Sequence, residues 1–191
     1  MLTFDDGAMN NYEHAYPVLS QLGCTATFFV STDYIGGWSD WRGDKRKFRI
    51  MGIDELKALR EGGFEIGSHA RQHVDLTSLS EDDLDSQLRE SRERLATILA
   101  DDVPSLAYPY GLFNLKVVEA TERAGYKCAC SVIRGANQDA DHPFALKRIM
   151  VTEATSSIRL RYFLSGLLDF EHERAFRSAV TSGVMTSTHA T

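Results

Sequence analysis

The sequence is short of several things, and each shortage closes a door. No run approaches the 18 or so consecutive apolar residues that a membrane-spanning helix requires. Basic residues are outnumbered, 21 Lys and Arg against 27 Asp and Glu, for a net charge of -6. That balance argues against a nucleic-acid partner, since phosphate binding is driven by basic clusters. The densest basic run, Arg42 to Arg49, carries Asp44 within it and reads as a solvated loop. Cysteine is scarce and odd in number: Cys24, Cys128 and Cys130 have no zinc-ribbon spacing. Cys128 and Cys130, two apart on a strand, would share a face as small core residues. There is no internal repeat and no low-complexity tract. No basic, apolar leader with a cleavage site opens the chain, so a cytoplasmic setting is the default expectation. The opening strand is short, however, and the true start is expected to lie upstream.

What remains is the ordinary composition of a globular domain, 43% hydrophobic and 25% charged over 191 residues. The first seven residues, Met1-Leu-Thr-Phe-Asp-Asp-Gly7, read as a strand ending in two adjacent carboxylates and a turn. Neighbouring acids repel, so the pair makes chemical sense around a cation or a reacting proton. Tyr12 to Leu22 has apolar residues at helical spacing, with Pro17 inside to kink it or delay its firm part. Thr25 to Val30 is a β-branched and aromatic strand. The loop from Ile35 to Phe48, with Trp38 and Trp41, has the length of a functional lid. A helix is expected from Asp54 to Gly62, a strand at Phe64–Gly67, and a long helix capped by Ser80 with Leu84, Leu88, Ser91, Leu95 and Ile98 on one face. Strands at Ser105–Tyr108, Tyr126–Val132 and Ala145–Val151 follow, with a helix over Val117–Ala124. Strands alternating with helices, and polar clusters at strand C-terminal ends, give an α/β fold with a parallel barrel or doubly wound sheet.

His69 and His73, four positions apart, present both imidazoles to one side on a helix or tight turn. A carboxylate from Asp5 or Asp6 would complete a two-histidine, one-carboxylate metal site with a position open to water.

Leu2-Thr-Phe-Asp-Asp-Gly7, Gly67-Ser-His-Ala-Arg-Gln-His-Val-Asp-Leu76 and Ala107-Tyr-Pro-Tyr-Gly111 resemble, in order and spacing, the polysaccharide deacetylase (NodB homology) family. The resemblance runs through about 150 residues, to Leu146-Lys-Arg-Ile149. It implies a distorted, incomplete (β/α) barrel with the active site at the strand C-terminal ends. It also implies a metal-dependent hydrolase removing N-acetyl or related acyl groups from an amino-sugar-containing saccharide. By this resemblance Asp5 is the catalytic base, and Asp6, His69 and His73 are the metal ligands. The Tyr110 backbone N–H becomes the oxyanion donor. The metal is expected to be Zn²⁺, with Co²⁺ and Ni²⁺ as alternatives. Trp38, Trp41, Pro109 and Tyr110 are candidates for substrate binding, the aromatic ones by stacking on pyranose rings.

The sequence also departs from the family pattern. Ala70 stands where a serine or threonine usually steadies the histidine loop, and Ala107 replaces an arginine. The Ala-Tyr-Pro-Tyr-Gly form resembles one branch of the family, in which Arg148 is the candidate partner of Asp5. The family's late general-acid histidine has no clear counterpart. His189 is nearest in form, His142 lies in a loop, and His14 and His172 fall on helices. The family-like domain is expected over 1–155, followed over 156–191 by a helical extension of unknown role. There Tyr162, Phe163, Leu167, Leu168 and Phe176 suit core packing or an interface, so a homo-oligomer is compatible with the chain. The rival readings are an esterase, an amidase on a non-sugar bond, and a saccharide-binding domain that has lost catalysis.

Overall fold

The computed structural model describes residues 1–42, 47–152 and 154–165. Five strands lie side by side in chain order and all parallel: β1 (Leu2–Phe4), β2 (Ala26–Val30), β3 (Glu65–Ser68), β4 (Ser105–Ala107) and β5 (Cys128–Cys130). Sequential parallel neighbours need a crossover each, and four helices supply them: α1 (Tyr16–Gln21), α2 (Ile53–Glu61), α3 (Glu81–Leu99) and α4 (Leu115–Arg123). The sheet curls into a half-barrel, the incomplete (β/α) barrel expected from the sequence. β2 is buried along its whole length, which is why Ala26–Val30 reads as a continuous run rather than an alternation.

Helix boundaries follow local chemistry. Pro17 sits in the first turn of α1, where its missing N–H costs nothing, and the preceding Asn11–Ala15 winds as a π-helical turn. The Ser80 hydroxyl accepts from the Asp83 N–H at the start of α3, and Asn114 Oδ1 accepts from the Val117 N–H at the start of α4. Each crossover helix turns buried leucines or a valine inward: Leu19, then Leu56 and Leu59, then Leu84, Leu88 and Leu95, then Val117. Phe4, Phe28 and Phe64 form a run of ring contacts beneath the β1–β3 side. Tyr108, fully buried, stacks on Phe113 and donates its hydroxyl to the Phe144 carbonyl. Among the described residues, no helix is long and apolar enough to cross a membrane.

One expectation changes in the structure. The strand expected over Ala145–Val151 reduces to one parallel bridge, Cys130 with Leu146, after a 3₁₀ turn at Pro143–Ala145. The reason is local: the Asn137 side-chain amide takes both backbone groups of Lys147, at 2.8 and 3.0 Å, and so replaces a neighbouring strand there. Of the helical extension expected over 156–191, the described residues show α5 (Ser157–Leu164), where Phe163 is buried under the guanidinium of Arg134. Leu167, Leu168, Phe176, His172 and His189 lie outside the described residues.

Of the two cysteines expected in the core, Cys130 is buried with Phe29 and Ala107 while Cys128 is partly buried, and burial pushes the Cys130 thiol up to about 11. Gly67 is the tight point of the sheet: a Cβ there would come within 2.4 Å of the Phe29 ring and 2.7 Å of Ser105 Oγ. Gly67→Ala is therefore expected to lower stability by roughly 1–3 kcal/mol, since Phe29 must leave its rotamer. A urea denaturation midpoint equal to wild type would show that the sheet opens there without cost.

Candidate active site

The site gathers at the C-terminal ends of the strands. After Phe4 the chain leaves β1 through Asp5, then turns sharply with Asp6 at φ 72° and Gly7 at φ 73°. Aspartate tolerates this left-handed conformation better than most side chains, and glycine tolerates it best. A Cβ on Gly7 would also stand 2.9 Å from Val30. The turn breaks strand alternation, so Asp5 and Asp6 take up different partners.

Asp6 faces the histidines. Its Oδ1 is 3.5 Å from His69 Nε2 and 3.3 Å from His73 Nε2, and the three donor atoms lie within 4.8 Å of one another. Ligand bonds of 2.0–2.1 Å in a tetrahedral site place ligand atoms about 3.3 Å apart, so the Asp6 distances match that edge. His69 directly follows β3, and His73 follows a bend in which Ala70 has φ 59°, so the pair is presented by a tight turn and not a helix. His69 Nδ1 lies 2.6 Å from the Ala107 carbonyl oxygen at the end of β4, which can only accept. A proton is thus on Nδ1, which leaves Nε2, the nitrogen facing Asp6, as the ring atom available to a metal. Two imidazole nitrogens and a carboxylate oxygen converge on one point, where a cation can lie between them. The residues present therefore fit a metal ion.

The walls are aromatic. Trp41 stacks on His73, with ring centroids 4.9 Å apart and planes 9° apart. Tyr110 meets the same ring edge-on at 4.3 Å and donates its hydroxyl to the His73 carbonyl at 3.3 Å. Tyr110 itself has φ 58°, in the turn Pro109–Gly111 that stops β4. The turn's closing bonds, Gly111 N–H to the Tyr108 carbonyl and Leu112 N–H to the Pro109 carbonyl, leave the Tyr110 N–H out.

Asp5 is held differently. Arg148 grips it with two parallel bonds, Nη1 to Oδ1 at 2.7 Å and Nη2 to Oδ2 at 2.8 Å. Arg148 is itself fixed, Nε donating to the Ser131 carbonyl at 2.8 Å and Nη1 to Thr3 Oγ1 at 3.2 Å. Burial raises the Asp5 pKa, but the Arg148 hydrogen bonds and the nearby His69 and Arg148 charges outweigh it, so the carboxyl sits below its ordinary range. For Asp6 burial again opposes, and the His69 and His73 hydrogen bonds win by a wide margin.

The sequence candidates thus separate. Asp5, Asp6, His69, His73, Tyr110, Trp41 and Arg148 come together. Pro109 is buried and fixes the turn instead of offering surface. Trp41 gives one face to His73, leaving less of it for a ligand than a free platform would have. Trp38 is half exposed and bridged to Arg49. His142 accepts from the Phe144 N–H, and His14 is exposed on the π-helical turn. Among the described residues no third histidine joins the cluster. Sequence reasoning missed Gln87, a buried polar residue on the apolar face of α3 that bonds the histidine loop. Its only signal was a polar side chain three positions after Leu84.

A family model for polysaccharide deacetylases matches residues 1–129. The chain belongs to the polysaccharide deacetylase family. The Bacillus subtilis (strain 168) family protein YxkH is 28% identical over 156 residues, 82% of this chain and 52% of that protein. A poly-beta-1,6-N-acetyl-D-glucosamine N-deacetylase of Staphylococcus aureus (strain MRSA252) is 26% identical over 161 residues, 80% of this chain and 54% of that protein. This polysaccharide deacetylase domain therefore spans about half the length of the curated relatives it matches. The Streptococcus pyogenes deacetylase PplD, solved in complex with acetate, superposes with a TM-score of 0.75 at 25% identity, over 85% of this chain and 68% of that one.

If Asp6, His69 and His73 hold a metal, each is needed. Asp6→Ala or His73→Ala should weaken Co²⁺ or Zn²⁺ binding by about 100-fold, and cut the thermal stabilisation by metal from about 4 kcal/mol at 1,000 times the wild-type Kd to about 1.4 kcal/mol. Titration calorimetry and thermal melts check this; unaltered affinity in both variants would place the ion elsewhere.

Proposed function

We propose that the chain is a metal-dependent hydrolase that removes N-acetyl groups from an amino-sugar-containing saccharide. The observation that carries this reading is the pairing of two differently held carboxylates at one strand tip. Asp6 joins two imidazoles, while Asp5 beside it is kept ionised and oriented by Arg148. One carboxylate and two imidazoles suit Zn²⁺, with Co²⁺ and Ni²⁺ as alternatives. When bound, the ion supplies Lewis acidity toward the acyl oxygen and acidifies water.

The rest is done by side chains and backbone. Asp5 accepts the proton of the attacking water. The two-pronged grip of Arg148 fixes the lone-pair direction of that base and prevents it from swinging toward Asp6. The Tyr110 N–H, unused by its own turn, donates to the oxygen on which negative charge grows. The exposed ring of Trp38 and the half-exposed ring of Tyr110 offer apolar faces to a sugar. The S. aureus relative's name supports an N-acetylated saccharide as substrate class. An O-acetyl ester is the second reading, because no described histidine beyond His69 and His73 is at hand to protonate an amine. An alkoxide leaves with less need of that proton.

Acetate release from N-acetylglucosamine oligomers and from acetylated xylan, before and after chelation, tests the proposal. Chelator-sensitive release from the oligomers is expected. Asp5→Asn should lose about 10²- to 10⁴-fold in kcat. Arg148→Lys, which keeps the charge and loses the second bond, should lose about 10- to 100-fold in kcat with KM little changed. Release that survives chelation, or an Asp5→Asn enzyme of full activity, would sink this mechanism.

A further inference from the structure

The histidine loop is held by its backbone. From His69 to Gln72 every N–H and C=O has a partner. His69 N–H donates to the Val30 carbonyl, and the His69 carbonyl accepts from Ser31 Oγ. Ala70 N–H donates to Ser68 Oγ, and its carbonyl accepts from the Thr32 N–H. Arg71 N–H donates to the Gln87 carbonyl, and its carbonyl accepts from the Asp33 N–H. Gln72 N–H donates to Gln87 Oε1 at 2.8 Å, and its carbonyl accepts from the Val74 N–H.

These bonds divide the loop in two. The His69 half is tied to the sheet and its strand-end serines, and His69 Nδ1 is tied to Ala107. The half leading to His73 is tied across to α3, by the Arg71 guanidinium to Ser86 and Glu90 and, through its backbone, by Gln87. Gln87 is 7% exposed and uses its backbone carbonyl on Arg71, its Oε1 on the Gln72 N–H, and its Nε2 on Gln72 Oε1 at 3.3 Å. His73 has no hydrogen bond on its buried Nδ1, so its ring, held by Trp41, Tyr110 and Asp6, lacks the carbonyl anchor that fixes His69. At position 70, where a hydroxyl could brace the turn from within, this chain has a methyl group.

We propose that Gln87 is the positioning residue that sets where His73 stands relative to His69 and Asp6, doing from α3 what no side chain at position 70 can do here. The inference rests on the reading of Asp6, His69 and His73 as a metal site. A carboxamide suits the task because it offers an acceptor to one backbone N–H and a donor to the facing carboxamide at once. An acceptor lost from this buried position leaves the Gln72 N–H unpaired, and the loop relieves that by moving.

The test compares Gln87→Met, which keeps length and helix propensity but has no carboxamide, with Gln87→Glu, which keeps the acceptor. Leu99→Ala, at the far end of α3 and partly buried on the core, serves as a variant that loses packing alone. Co²⁺ affinity, the visible Co²⁺ spectrum, amide exchange at Gln72 and the metal-free melting temperature are read for each. Gln87→Met should weaken Co²⁺ binding about tenfold, change the spectrum and speed Gln72 exchange. Gln87→Glu should recover the spectrum and most of the affinity. Leu99→Ala should lower the melting temperature with Co²⁺ affinity within twofold of wild type. Faster Gln72 exchange in Gln87→Met with unchanged affinity and spectrum would overturn this inference alone. A wild-type chain that binds no Co²⁺ would overturn the metal-site reading and this inference with it.

Discussion

Asp5 and Asp6 stand side by side at the end of β1, and partial burial makes two like charges there costly unless each finds its own partner. The partners come from opposite ends of the chain. Arg148, 143 positions after Asp5, arrives on the segment that follows β5, and the histidines arrive on the end of β3. At an effective dielectric near 20, unit charges 4 Å apart interact by about 4 kcal/mol, comparable to a large part of a domain's net stability. The Arg148–Asp5 pair also spans the open side of the half-barrel, since Arg148 binds Thr3 on β1 and the Ser131 carbonyl just past β5. One ion pair thus neutralises a carboxylate and ties together edges that, among the described residues, no sixth strand joins.

Much of this was legible in the sequence because it rests on short-range rules. β2 is a continuous run of β-branched and aromatic residues, the Ser80 cap precedes a clear helical stripe, and Pro17 marks the first turn of α1. The candidate cluster of Asp6, His69 and His73 lies in two motifs whose spacing survives folding, and the family resemblance singled out Asp6 over Asp5. Other features could not be read because they depend on what a side chain meets across the fold. Ala145–Val151 has strand composition, yet Asn137, ten residues before Lys147, occupies the backbone groups a strand would need. Trp41 reads as a sugar platform until His73 is found lying against it. Gln87 looks like an ordinary polar residue that strayed onto an apolar face.

His69 and His73 look equivalent in sequence and are not equivalent in the fold. His69 is 2% exposed, its ring proton is committed to the β4 carbonyl, and it follows a strand paired on both sides. Moving it means moving the sheet. His73 is oriented by ring contacts with Trp41 and Tyr110 and by the backbone clamp that ends at Gln72. Stacking and edge contacts are worth about 0.5–1.5 kcal/mol each and tolerate sliding, whereas a short hydrogen bond to a fixed carbonyl does not. The site therefore has one rigid imidazole and one adjustable one. If the cluster holds an ion, such an arrangement lets it close on that ion while the strand tip that carries Asp5 stays where Arg148 holds it. The aromatic residues around His73 then govern the tightness of the cluster, and the sheet governs its location.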